Sequence, residues 1–397
     1  MKKAVIIVLG MLLAIIMVLL FRLDRFYAKV YNPKKNAPTL APDKTVFNIL
    51  FMGYGGANHD GAYLTDTLMV IHMDLVKNKV LLVSIPRDIW VKIPTVSGNS
   101  FHSKINALYE MERFPKDFPD VDNTKSNDSK TYIVSNTVSQ ITGLPIDYYM
   151  GVDFAGFTKS IDKLGGIDLT VQKSFTDPQY PMDGHEDDLC GKDEQFKQIE
   201  PFLNQTGVAS PEAQDTKEKL LKEKPELDEM LKNATEEPEL AFPCRYETLS
   251  FTAGLQHMSG AQVLKFARSR HAPQDGGDFA RARRQQLVIE AIKDKALKIT
   301  SIPKLLSLMD DLENEITTDI PKELLNKFLA ESKDAAVYKI SNLVLSDNDY
   351  LDYSNSPDGQ SILIPKAGSD SWDVVKSWIN DTISGVSLTP TAKPAKK

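Results

Sequence analysis

The chain reads as an α/β protein carried on one N-terminal membrane-spanning helix, and three observations lead there. Short, largely apolar runs at Val46–Met52, Leu68–Met73 and Val80–Ile85 have the length of buried strands, the last two joined through Lys77-Asn78-Lys79 as a hairpin. A strand-helix-strand order follows at Ile146–Val152, Phe154–Leu164 and Ile167–Val171. Ahead of both, Ala4–Phe21 is a run of eighteen uncharged residues behind Met1-Lys2-Lys3, long enough to cross a bilayer.

From the start, residues 1–3 read as a short cytoplasmic tail, 4–21 as the anchor and 22–45 as a linker stiffened by Pro33, Pro38 and Pro42. No small-residue cleavage site follows the apolar run, which favours a retained anchor over a signal peptide. Lys2 and Lys3 put the start inside the cell, but Arg22, Arg25, Lys29, Lys34 and Lys35 lie just past the span, so charge leaves orientation open. Cysteine usage favours an outside body: the only two, Cys190 and Cys244, flank one segment and in an exported chain read as a disulfide, the alternative being two reduced thiols. A net charge of -7 over 397 residues argues against general nucleic-acid binding.

The folded body begins near Val46. After the first strand, Gly53-Tyr54-Gly55-Gly56 lets backbone approach a ligand, although no phosphate-binding P-loop pattern is present. Asp66, at the start of the second strand, and Arg87, at the end of its hairpin partner, are expected side by side. There Asp66 could hold magnesium and Arg87 face the phosphate it bridges, or the two could form a structural pair at a sheet edge. A short helix is expected from His102, with Lys104 as a further candidate phosphate ligand, and another helix from near Thr131 to Gly143. Residues 176–249 break the pattern: acid-rich, containing both cysteines and a charged helical run from Pro211 to Ala234, they read as an insertion. Helices at Ile302–Leu312, Pro321–Leu329 and Trp372–Ile383 around a strand at Ser361–Pro365 are expected to cover the sheet, before a disordered tail at 386–397.

The densest chemistry lies between Lys265 and Gln286, where Arg268, Arg270, Arg281, Arg283 and Arg284 gather around Asp275 and Asp278. Guanidinium forks match phosphate oxygens two at a time and stay charged, so this cluster suits a pyrophosphate. Ser259 and Gln262 form a capping box for a helix ending near Ala267; Asp278 stands where the N-cap of a second helix belongs, with Arg281, Arg284 and Gln285 on one face. The bland alternative is a solvated basic helix surface.

These residues carry a resemblance. Thr65-Asp66-Thr67, Ser84-Ile85-Pro86-Arg87-Asp88, Lys104-Ile105-Asn106-Ala107, Gly143-Leu144-Pro145-Ile146-Asp147, Leu164-Gly165-Gly166-Ile167-Asp168, Arg268-Ser269-Arg270 and Asp278-Phe279-Ala280-Arg281 occur in an order that resembles the LytR-CpsA-Psr proteins of bacterial cell walls. The resemblance implies an α/β/α sandwich around a central mixed sheet, outside the cell, with a catalytic domain at 46–300 and a C-terminal extension at 301–385. It also implies transfer of a glycopolymer from a polyprenyl-pyrophosphate carrier to peptidoglycan through a phosphodiester, with magnesium as cofactor. Carried over, Asp66 is a metal ligand, and Arg87, Lys104, Arg268, Arg270, Arg281, Arg284 and Gln285 are pyrophosphate ligands, with Arg87, Arg268 and Arg270 central to catalysis.

Two positions depart from the pattern. The second residue after Gly53 is Gly55 where the family commonly has an aspartate, and Tyr63-Leu64 stands where an arginine is common. Asp60, in the lengthened His59-Asp60-Gly61 loop, is the candidate replacement carboxylate. Asp278 has two readings, a base for the acceptor hydroxyl or an N-cap that orients Arg281. Two rival functions keep the same residues: a hydrolase that uses water instead of a sugar hydroxyl, and a non-catalytic binder of lipid-linked glycopolymer.

Overall fold

The computed structural model describes residues 21–22, 24–34, 43–57, 59, 61–124, 130–203, 211–296, 312–331 and 337–385. Residues 4–20 of the expected 4–21 anchor, Asp60, most of the helix at Ile302–Leu312 and the 386–397 tail lie outside them. No helix among the described residues is long and apolar enough to cross a membrane. The described chain divides into two compact units, one built from residues up to Thr170, Leu255–Arg268 and Asp278 onward, the other from Val171–Gly254 and Ser269–Gly277.

The strands in chain order are β1 (Val46–Tyr54), β2 (Thr65–Asp74), β3 (Lys79–Ile85), β4 (Trp90–Ile93), β5 (Phe101–Lys104), β6 (Tyr148–Asp153), β7 (Ile167–Val171), β8 (Phe175–Pro181), β9 (Tyr246–Phe251), β10 (Gly254–Met258), β11 (Ile316–Thr318), β12 (Lys339–Val344), β13 (Leu351–Asn355) and β14 (Ser361–Pro365). In the first unit, six of them form one mixed sheet in the order β11-β6-β1-β2-β3-β12. β1 runs parallel to β6 and β3 to β12, while β1–β2, β2–β3 and β6–β11 are antiparallel. β1 and β3 are apolar nearly throughout because both faces of the sheet are covered. Leu50, Met52, Val70 and Val83 pack on one side against Leu108, Ile133, Val138 and Ile379, which come from the helices Leu108–Arg113, Tyr132–Thr142 and Asp373–Ser384. On the other side Phe47 and Ile49 meet Ile320 and Leu324, and Met69, Val80 and Leu82 meet Ile289 of the helix Gly277–Ala296. This is an α/β/α arrangement.

Several elements differ from expectation. The stretch expected to start a helix at His102 is instead β5, paired with β4, and the chain turns helical only at Ile105. β7 forms as expected but pairs with β10 rather than joining the central sheet. The C-terminal segment does more than cover the sheet: β11 and β12 supply both of its edges. A three-residue strand carries no periodicity, and β12 is a half-exposed edge with Lys339, Ser341 and Asn342, so neither showed as an apolar run. Tyr31 and Asn32 also lie against β11, with the Asn32 amide donating to the Thr318 carbonyl at 2.7 Å and Tyr31 bridging to Thr318.

The second unit pairs β8 with β9 and holds a core of its own, Ile199, Leu227, Met230, Leu231 and Phe242. Its charged run is two helices, Pro211–Glu223 and Pro225–Glu236, because Pro225 lacks the amide needed to continue the first and suits the opening turn of the second. Cys190 and Cys244 are joined as a disulfide.

Candidate functional site

The β2–β3 register places the first pair. Leu68 lies opposite Ile85, so Asp66, two residues before, and Arg87, two residues after, meet beyond the end of the ladder. Arg87 Nη1 donates to Asp66 Oδ1 at 2.5 Å, its Nε lies 3.6 Å from Asp88 Oδ2, and Lys104 Nζ lies 2.8 Å from Asp88 Oδ1. Burial pushes the Asp66 carboxyl up, but Arg87, Arg281 and Arg268 outweigh it and hold the group below the usual carboxylate range. Burial likewise works against the Arg87 charge, and Asp66, Asp88 and Asp278 more than restore it. Three arginines from three elements thus act on one carboxylate: the turn after β3, the end of the helix Gly260–Arg268, and the helix Gly277–Ala296.

The helix that carries Arg268 starts with the expected capping box: the Ser259 amide donates to Gln262 Oε1 at 2.9 Å and the Gln262 amide to Ser259 Oγ at 3.4 Å. At its other end Arg268 lies 4.4 Å above the Phe154 ring, with its Nη2 2.9 Å from His59 Nε2. Phe154, the first residue of its helix, is therefore a platform for a charged group.

The second arginine helix begins at Gly277, two residues earlier than an N-cap at Asp278 implies, so Asp278 sits in its first turn. Its Oδ1 lies 2.9 Å from Arg281 Nη2, which fits the orienting role; Arg281 itself is buried. Arg284 and Gln285 turn inward. Arg284 is only 2 % exposed and its Nε donates to the Phe266 carbonyl at 2.9 Å, while Gln285 Nε2 donates to the Ala267 carbonyl at 3.4 Å. Both satisfy the last carbonyls of the Arg268 helix, so they tie the two arginine helices together. Gln286, absent from the expected set, ties β3 to β12 through the Leu343 carbonyl at 2.7 Å and Ser84 Oγ at 2.9 Å.

Arg270 belongs to the second unit, since the division falls between Arg268 and Ser269. There the buried Asp177 accepts from Ser269 Oγ at 2.6 Å and from the amides of Arg270 at 2.9 Å and His271 at 3.1 Å. Burial pushes the Asp177 carboxyl up, but these bonds outweigh it and keep it ionised. Asp177 carried no signal in the sequence beyond being an acid at the edge of an acid-rich stretch.

Among the described residues the only group of three or more His, Cys, Asp or Glu ligand atoms near enough to share a metal is Asp188 with Cys190 and Cys244, and those sulfurs are bonded to each other. The chemistry at Asp66 nevertheless fits magnesium: a carboxylate held ionised offers hard oxygen, and this cation commonly takes one or two protein carboxylates and completes its shell with water and substrate phosphate.

Residues 25–369 match the LytR_cpsA_psr family. The chain belongs to that family. Among its relatives, Regulatory protein MsrR of Staphylococcus aureus is 25% identical over 326 residues, 80% of this chain and 70% of MsrR. The polyisoprenyl-teichoic acid–peptidoglycan teichoic acid transferase TagV of Bacillus subtilis is 25% identical over 280 residues, 70% of this chain and 50% of TagV. Crystal structures of two similar proteins share the fold: a Streptococcus agalactiae protein at TM-score 0.51 and 18% identity, covering 85% of this chain and 88% of that one, and B. subtilis TagV at 0.50 and 21%, covering 86% and 98%. The LytR_cpsA_psr sheet is thus the scaffold on which Asp66 and its three arginines converge.

Proposed function

We propose that the chain is a membrane-anchored transferase, working outside the cytoplasm, that moves a glycopolymer from a polyprenyl-pyrophosphate carrier onto a hydroxyl of peptidoglycan. The observation that carries this reading is the convergence of Arg87, Arg268 and Arg281 on Asp66. A site holding that many fixed positive charges around one ionised carboxylate is suited to a polyanion that brings its own cation, and the transferase name of TagV is consistent with it.

In this reading the acceptor hydroxyl oxygen attacks the phosphorus that bears the sugar. A new phosphorus–oxygen bond forms, the phosphoanhydride bond breaks, polyprenyl phosphate leaves and the hydroxyl proton is released. Little covalent help is needed; charge neutralisation and alignment dominate. Arg87, Arg268 and Arg281 bind the pyrophosphate oxygens, Lys104 adds a further positive charge beside Asp88, and Asp278 keeps Arg281 oriented. Asp66 would hold the magnesium, whose charge would offset that of the pyrophosphate.

The test incubates full-length protein in detergent with a polyprenyl-pyrophosphate oligosaccharide and peptidoglycan fragments, with and without magnesium, and reads products by mass spectrometry. A phosphodiester-linked conjugate with released polyprenyl phosphate is expected. Phosphorylated sugar alone would replace transfer by hydrolysis, and tight binding without product would leave a carrier-binding protein.

A further inference from the structure

The loop from β1 to β2 is built to place a histidine. Gly56 adopts φ +90°, a left-handed conformation that suits glycine. Its amide donates to the Ala62 carbonyl at 2.8 Å, and the His59 amide donates back to the Gly56 carbonyl at 3.0 Å, so the loop closes on itself. The imidazole then fills the space beside Gly55: a β-carbon at that position would stand 2.7 Å from His59 Cγ and 2.8 Å from Nδ1. The departure at Gly55 and the presence of His59 are two sides of one arrangement, because no larger side chain fits there while the ring is in place.

His59 Nε2 lies 2.9 Å from Arg268 Nη2. A guanidinium has donors only, so this nitrogen accepts and the ring proton of neutral His59 sits on Nδ1. Phe154 supports both groups, 4.4 Å beneath the Arg268 guanidinium and edge-on to His59 with centroids 5.2 Å apart. An aromatic face sets the plane of the guanidinium, and a hydrogen bond in that plane sets its rotation.

We infer that His59 is a positioning residue that aims the Arg268 fork at a pyrophosphate. The identity of the ligand rests on the transferase reading; the coupling of His59 to Arg268 does not. A fork meets two phosphate oxygens at once only when its rotation is set, so loss of the acceptor weakens binding without removing the charge.

Inorganic pyrophosphate titrated calorimetrically into the full chain, in detergent with magnesium, tests this on wild type, His59→Gln, His59→Phe, Arg268→Ala and the His59→Phe/Arg268→Ala double variant. His59→Phe is expected to weaken binding about tenfold, the scale of one hydrogen bond to a charged group. Glutamine, which retains an acceptor, is expected to recover most of that loss. With Arg268 already removed, His59→Phe should change nothing further, giving a coupling equal to its whole effect. A glutamine variant as weak as the phenylalanine one, or an undiminished loss in the Arg268→Ala background, overturns the role. Wild type that does not bind pyrophosphate overturns the transferase reading as well, whereas wild-type binding without coupling removes His59 alone.

Discussion

Gly55→Ala perturbs the site through one added carbon, and its consequences follow from the local geometry. The new β-carbon would lie 2.7–2.8 Å from three His59 atoms, too close for both to stay. Gly55 is not in the left-handed region, so alanine is acceptable to the backbone itself. In a close-packed core such a clash costs about 1–3 kcal/mol, but His59 sits in a loop and can swing away, so stability should fall by less than about 1 kcal/mol. What is lost is the acceptor for Arg268, worth about 1.5 kcal/mol, or about tenfold in pyrophosphate affinity. Pyrophosphate titration and urea unfolding on the same preparation separate the two effects. Wild-type affinity in Gly55→Ala would refute the claim that the ring occupies this space for a purpose. A stability loss of several kcal/mol would show that the loop braces the sheet instead.

Asp319 gives a pH prediction. Burial pushes its carboxyl up to about 6 although Lys34 lies 3.5 Å away, against about 3.9 in an unfolded chain. Folding therefore takes up a proton between those values, and stability falls as pH rises through them. Asp319→Asn should remove that slope and raise stability at pH 7 by about 3 kcal/mol, as read by urea unfolding at pH 5 and pH 7. Asp66 has the opposite sign: its folded value is depressed, so its contribution is present above about pH 4 and is lost as pH falls through the folded value. Asp66→Asn should flatten that acid limb and abolish magnesium-dependent turnover; an unchanged limb in the unfolding curves would count against the pairing. In the second unit, Cys190→Ser with Cys244→Ser opens a loop with a sequence separation of 54 residues and should cost about 4 kcal/mol, seen as earlier proteolysis within Val171–Gly254.

The residues of the site were legible one by one because their signals are local. An apolar run marks a strand, and two such runs joined by a short turn set the hairpin register that brings Asp66 to Arg87. Ser259 and Gln262 mark a helix start through bonds made within one turn. Direction was not legible. Arg281 and Arg284 are three residues apart on one helix and look alike in the sequence, yet Arg281 meets Asp278 while Arg284 turns to the Phe266 carbonyl, because only the packing of two helices decides which partner each reaches. Arg268 and Arg270 likewise stand two residues apart in one motif, yet they belong to different units.

Composition, periodicity and capping residues were therefore enough to establish an α/β chain with an arginine-rich cluster, since each depends on contacts within about a dozen residues. Tertiary structure decided the rest: β11 and β12 as sheet edges, Arg284 and Gln285 as braces, and His59 as the partner of Arg268. Each of these depends on a contact between residues far apart in the chain, such as the 209 positions that separate His59 from Arg268. Such a pairing leaves no periodic trace in either segment, because it is set by where the sheet and its helices bring the two backbones together.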